Sequence, residues 1–225
     1  MRILTLSGWG QPHDALAAIA PDATHVDYAQ YPAIEEALAH IAEVAQGHDA
    51  VIGWSLGGQL AARAIGIGMS RPRKLTLIAT PFKLVHDGKN GSMGRGTHEK
   101  FRDNYAANPD RTLRKAYELI AHGDSRAAEV RGYLSRHDRQ SVLSNDWLSW
   151  FDRLKDLSAE NLDFSLFPPT LLVHGENDAV AGAAQAERFA AALPKATLAL
   201  WKGCGHAPHW HDPAALAALI KEHHV

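Results

Sequence analysis

The chain is nearly devoid of cysteine. Cys204 stands alone among 225 residues, so no disulfide can form within the chain, and a single thiol fits a reducing cytoplasm. An excess of either charge is also missing. Lys and Arg number 23, Asp and Glu 25, and the formal net charge is -2. A nucleic-acid binder normally carries a strongly basic domain, so that class is excluded. No apolar run approaches the ~18 residues that a membrane helix needs. The N-terminal "MRILTLSGWG" lacks the apolar stretch and small-residue cleavage site of a signal peptide. Repeats and low-complexity tracts are absent too. These absences point to a cytoplasmic chain with neither a membrane nor a nucleic acid as partner.

Apolar residues, by contrast, make up 46% of the chain. That is enough for a sizeable core, and the length suits one domain with an inserted subdomain. Short apolar runs alternate with helical patterns in the first half. "RILTLS", "AVIGW" and "KLTLIA" read as strands and "THVDY" as a weaker one. Ile34, Leu38, Ile41 and Val44 fall at helical spacing within 32–45, and a second helix covers 56–67. Strands that are apolar throughout, alternating with helices, imply a parallel sheet covered on both faces. From about 81 to 166 the rhythm stops. Polar helical patterns and a glycine-rich loop, "DGKNGSMGRG", replace it, with no strand-like run. Strand and loop return in "PPTLLVHGEND" and "ATLALWKGCGH", separated by a helix at 181–193 and followed by one at 214–221. Both halves of the sheet are needed for one core. The expectation is therefore a single domain, 1–225, with a helical lid inserted at about 82–167.

Gly53-Trp54-Ser55-Leu56-Gly57 lies between a strand and a helix. In that context G-x-S-x-G forms a nucleophile elbow, which presents the serine at the tip of a strained turn. A tight turn with a buried serine is the plainer alternative. A serine needs a base, and fourteen histidines give no choice by composition. Ligands of an open α/β sheet gather at the carboxyl ends of its strands. His206 follows the strand "ATLALW" between the small Gly205 and Ala207, so it is the candidate base. His209 and His211 are its rivals and are expected at the rim. Asp178 follows "TLLVH" and completes the order Ser, Asp, His. Glu176 is the fallback, and Asp178 also suits a helix cap near Ala181. An oxyanion hole takes two backbone N–H groups. Leu56, after the nucleophile, supplies one, and Trp9 in "SGWGQP" the other. Such a site needs no cofactor and no metal.

"SGWG", "GWSLGG", "HGENDAV" and "GCGHAPHWHDP", in this order, resemble the α/β-hydrolase superfamily. Within it they resemble the pimeloyl-[acyl-carrier protein] methyl ester carboxylesterases of biotin biosynthesis. The resemblance implies an α/β-hydrolase fold: a mostly parallel sheet flanked by helices, with an inserted helical lid. It implies a serine esterase that cleaves the methyl ester of a carrier-bound acyl chain. It also implies basic lid residues that hold an acidic carrier protein. Arg111, Lys115, Arg126 and Arg131 in "DRTLRKAYELIAHGDSRAAEVRGYLSR" are the candidates, weighed against an ordinary solvated helix face. Three departures suggest a relative trimmed at the N-terminus. Ser7 stands where the superfamily usually has histidine, "DYAQYPAIEEA" replaces a glycine- and serine-bearing loop, and the chain starts on what would be the third strand. The same triad residues would serve a broad carboxylesterase, a carbon–carbon bond hydrolase or a cofactor-free peroxidase. A hydrolase-fold binding module is the non-enzyme alternative.

Overall fold

The computed structural model describes residues 1–86, 93–136 and 139–224. Its main sheet uses β1 (Ile3–Leu6), β2 (Thr24–His25), β3 (Ala50–Trp54), β4 (Lys74–Ile78), β7 (Thr170–Gly175) and β8 (Ala196–Trp201). Between β4 and β7 lie two short strands, β5 (Val85–His86) and β6 (Met93–Gly94). The six strands run in the order β2-β1-β3-β4-β7-β8, and each neighbouring pair is parallel. Every residue of β3 and β7 is buried, whereas β2 and β8 at the edges are partly exposed. That is why "AVIGW" and "TLLVHG" are apolar without alternation: helices cover both faces of the centre. The covering helices are α1 (Ile34–Ala45), α2 (Leu56–Gly66), α8 (Ala184–Ala192) and α10 (Pro213–His224).

Between β1 and β3 the strand order reverses direction. β1 leads to β2 on one side, and β3 returns on the other. Loops leaving the carboxyl ends of β1 and β3 therefore diverge and open a crevice, the usual ligand position of an open α/β sheet. The register pairs Leu6 with Gly53, Trp54 with Ile78 and Ile78 with Val173, so these ends stand level.

The segment between β4 and β7 carries α3 (Arg95–Ala107), α4 (Pro109–Ala121), α5 (Ala127–Ser135), α6 (Arg139–Leu143) and α7 (Trp147–Arg153). It is not wholly helical, contrary to the sequence reading. β5 and β6 pair in parallel through two residues each, too few to show an alternating pattern. The greater part of the glycine-rich loop, 87–92, lies outside the described residues. Leu113, Ile120, Trp147, Trp150 and Phe151 of the insertion join the same apolar core as the sheet. Trp9, in the loop after β1, binds the two together. Its ring meets Phe101, Tyr105, Trp147 and Phe151 edge-on at 5.3–6.1 Å between centroids, contacts worth about 0.5–1.5 kcal/mol each.

Candidate active site

Ser55 takes φ 53° and ψ -116°, a region that residues with a Cβ seldom enter and that costs about 1–3 kcal/mol. Its N–H donates to Ile78 O at 2.9 Å. The glycines around it are required by close backbone approach. A Cβ on Gly53 would lie 2.5 Å from Gly58 Cα, and one on Gly57 would lie 2.3 Å from Leu6 O. The turn can thus fold tightly between β1 and β4, with α2 starting immediately after the serine.

His206 bridges Ser55 and Asp178. Its Nδ1 lies 2.7 Å from Asp178 Oδ2 and its Nε2 3.0 Å from Ser55 Oγ. An ionised carboxylate only accepts, so Nδ1 carries the proton and Nε2 is left to accept from the Ser55 hydroxyl. His206 is 2% exposed and Asp178 7%. Burial on its own would raise the Asp178 pKa. The His206 imidazole and a hydrogen bond from His174 more than offset that and hold the carboxyl well below the usual range. Asp178 does not cap a helix, because α8 has Ala183 at its N-cap and no side-chain cap bond there; Asp178 instead ties its own loop. Its Oδ1 accepts from Val180 N and Ala181 N, both at 2.8 Å. The helix itself begins at Ala184, three residues later than the sequence pattern places it. One oxygen fixes the loop while the other faces the imidazole.

Glu176 is exposed and takes no part. The two rival histidines are not rim residues. His209 is completely buried, with its ring 4.3 Å from that of Trp54. His211 is partly buried, and its Nδ1 donates to Asp124 Oδ1 at 2.8 Å. Both sit on α9 (Pro208–His211), which turns back under the loop rather than out to solvent. "HAPHWH" puts two apolar residues and a proline among its histidines, but that composition does not say which histidine is buried.

Three contacts on His206 and its loop escaped the sequence reading. Trp54 Nε1–H donates to His206 O at 2.9 Å, so the variable residue before the serine anchors the histidine. The His206 N–H donates to Ile120 O at the end of α4. Asp124, between α4 and α5, accepts from Gly205 N at 2.8 Å through Oδ2, and from Arg126 N and His211 Nδ1 through Oδ1. Among the described residues, Asp124, Cys204 and His211 form one cluster whose donor atoms lie within 4.8 Å of one another. These hydrogen bonds account for the cluster as a latch between the insertion and the His206 loop. The Cys204 thiol is pushed far above its ordinary pKa, first by burial and then by Asp124 and Asp178. As a buried thiol it is inert.

Ser55, His206, Leu56 and Trp9 all border one cavity, with an empty volume of about 640 Å³ out to its open mouth. The remaining wall is apolar apart from Gln59, with Leu84, Phe101, Leu119, Ile120, Phe151 and Val180 prominent. Leu56 heads α2, so its N–H belongs to the helix-start donors that have no acceptor within the helix. The positive end of the helix dipole points the same way. The Trp9 indole N–H is engaged elsewhere, donating to Trp147 O at 2.7 Å.

The four basic candidates are all exposed but do not stand together. Arg111, Lys115 and Arg131 line a groove between α4 and α5, along with Arg114, which the sequence reading omitted. Arg126 turns away. Its Nη1 donates to His211 O at 2.9 Å and pairs with Asp212 at 3.5 Å. Arg131 is paired with Glu118 at 2.9 Å and Arg114 with Asp110 at 2.6 Å. Helix α4 thus has two faces of different character: Arg111, Arg114 and Lys115 look into the groove, and Ala116, Leu119 and Ile120 line the cavity.

Residues 3–219 match the family described as "Alpha/beta hydrolase family". The chain belongs to this family. This alpha/beta hydrolase is 33% identical over 180 residues to the pimeloyl-[acyl-carrier protein] methyl ester esterase of Nitrosomonas europaea, covering 77% of this chain and 70% of that one. It is 28% identical over 202 residues to the biotin biosynthesis bifunctional protein BioHC of Teredinibacter turnerae. That match covers 83% of this chain but only 35% of the longer protein, so the chain spans about a third of that relative. An esterase from Exiguobacterium antarcticum superposes with a TM-score of 0.81 at 16% identity, covering 100% of this hydrolase and 91% of the esterase. At that identity the likeness speaks for the fold. Among the described residues, no helix of the hydrolase is long and apolar enough to cross a membrane.

Proposed function

We propose that this alpha/beta hydrolase is a cytoplasmic serine carboxylesterase that cleaves the methyl ester of an acyl chain carried by an acyl-carrier protein, the pimeloyl ester of biotin biosynthesis. The observation that carries the chemistry is the pair of hydrogen bonds through which His206 joins Ser55 to Asp178 at the base of an apolar cavity. The substrate rests on the similarity to esterases of that name and on a cavity wall suited to a methylene chain.

In this reading His206 Nε2 takes the hydroxyl proton as Ser55 Oγ attacks the ester carbonyl. The N–H groups of Leu56 and Trp9 hold the oxyanion. His206 returns the proton to the departing methoxide, and methanol leaves. A water then gives its proton to His206 and attacks the acyl-enzyme, Ser55 regains its proton, and the free acid departs. Asp178 keeps the imidazole in the Nδ1–H form and stabilises its charged state. No cofactor enters the sequence. The insertion acts as a lid on a single domain, and Arg111, Lys115 and Arg131 offer the carrier a basic face.

The test pairs a fluorophosphonate probe with two esters. Wild type should be labelled at Ser55. Ser55→Ala should fold normally, resist the probe and lose on the order of a millionfold in turnover. Normal turnover by a pure, folded variant would remove the mechanism. Hydrolysis of p-nitrophenyl acetate without hydrolysis of the carrier-bound methyl ester would leave a broad carboxylesterase.

A further inference from the structure

His174 is a buried histidine that the mechanism above does not use. It is the penultimate residue of β7, a strand otherwise made of Thr, Leu, Val and Gly, and is 1% exposed. A polar ring in such a strand is costly unless it is hydrogen-bonded. Its Nε2 lies 3.0 Å from Asp178 Oδ2 and also contacts Ala181 O. A carboxylate and a carbonyl both only accept, so Nε2 carries a proton. Asp178 Oδ2 therefore faces the imidazole N–H of His206 at 2.7 Å and, at 3.0 Å, the His174 N–H that it shares with Ala181 O. Gly175 makes this convergence possible. A Cβ there would lie 2.2 Å from Gly205 O, so the end of β7 and the His206 loop touch backbone to backbone.

Resting on the Ser55–His206–Asp178 reading, we propose that His174 is a positioning residue that sets the basicity of His206 by sharing the charge on Asp178. A carboxylate that gives part of its negative charge to one N–H donor has less to give to the other. With His174 in place, Asp178 orients His206 without over-stabilising its protonated form. The other ionisable groups around the His206 loop are Asp124, Cys204 and His211, held to one another across the loop, Arg126 on His211 O and Asp212, and His209 against Trp54. They are the same in every variant compared.

The experiment measures the rate of Ser55 labelling by a fluorophosphonate, and kcat/KM for p-nitrophenyl acetate, from pH 4 to 9. Neither readout depends on the natural substrate. His174→Leu should move the acid limb of both profiles up by about half a unit to one unit and lower the plateau rate about tenfold. His174→Gln should return the limb towards wild type, because its Nε2–H can reach the same oxygen. A lower plateau or melting temperature with the acid limb unmoved would overturn the proposal and leave His174 as core packing. If His174→Leu fails to fold, His174→Gln and His174→Asn carry the test. Asn is too short to reach Oδ2 and should shift the limb, and identical profiles in these two would equally overturn it. Failure of the mechanism itself is separable, since wild-type labelling would then be absent or would survive in Ser55→Ala.

Discussion

At the carboxyl ends of the strands, neighbouring backbones touch. A Cβ on Gly57 would lie 2.3 Å from Leu6 O, and one on Gly175 would lie 2.2 Å from Gly205 O. In the insertion, a Cβ on Gly94, Gly96 or Gly132 would meet nothing within 4 Å, and the exception among the described residues, Gly123 at 3.0 Å from Asn177 O, stands where the insertion meets the sheet-edge loops. The same residue type therefore does different work in the two regions. At the sheet edge, glycine is what lets three separate loops converge on one serine. In the insertion, shape comes from side chains, above all the aromatic rings around Trp9. The sheet edge has few alternatives open to it and so suits chemistry that tolerates little displacement. Helices held by side chains can vary their outer faces while keeping their inner ones, which suits recognition.

The largest effect that would test this contrast lies in the proposed triad of Ser55, His206 and Asp178. Asp178→Asn should keep the fold and cost on the order of 10⁴-fold in kcat, because the amide favours the wrong His206 tautomer. Acid unfolding gives a second readout. The Asp178 pKa is depressed by His206 and His174 despite burial, so the unfolded state binds its proton more readily. The stability linked to this group is complete above the ordinary aspartate value of about 3.9 and is lost as pH falls below it towards the folded value. Asp178→Asn should flatten the fall in melting temperature below about pH 4. An unchanged acid limb would mean that other carboxylates dominate.

A matched pair of glycine substitutions addresses the backbone argument directly. Gly175→Ala should cost about 3 kcal/mol or more, since only backbone can yield to the new methyl, and should impair turnover with it. Gly132→Ala, inside α5, should instead stabilise by about 0.5–1 kcal/mol through better helix propensity. Urea titrations of the two variants decide the matter, and equal effects would erase the distinction between the regions.

The smallest expected effect concerns the basic groove. Arg111→Glu with Lys115→Glu should slow hydrolysis of a carrier-bound methyl ester several-fold at low salt, and less as salt rises. p-Nitrophenyl acetate should be spared. Arg126→Glu sharpens the comparison. Arg126 is tied to His211 and Asp212 behind the His206 loop, so its replacement should slow both substrates together. The kcat/KM ratio of the two esters at two salt concentrations separates these outcomes. A groove variant that slows both esters equally would leave Arg111 and Lys115 as a solvated face.

Local pattern was enough to read the six strands of the main sheet, the elbow glycines and the order of Ser55, Asp178 and His206. Each of these depends on neighbours within a few residues: unbroken apolar runs for buried strands, small residues for a tight turn. The sequence order also assigned those three residues to one edge, because every parallel strand in such a sheet ends on the same side. Which side chains meet there depended on contacts across 28 and 151 residues, and no local pattern encodes them. The same holds for the burial of His209 against Trp54, for the separation of Arg126 from Arg111 and Lys115, and for the place of His174 beside Asp178. A histidine, an arginine or an aspartate has the same local signature whether it faces solvent or a partner. Only the packing of loops from distant strands, brought together where glycines let the backbones touch, decided which it would be.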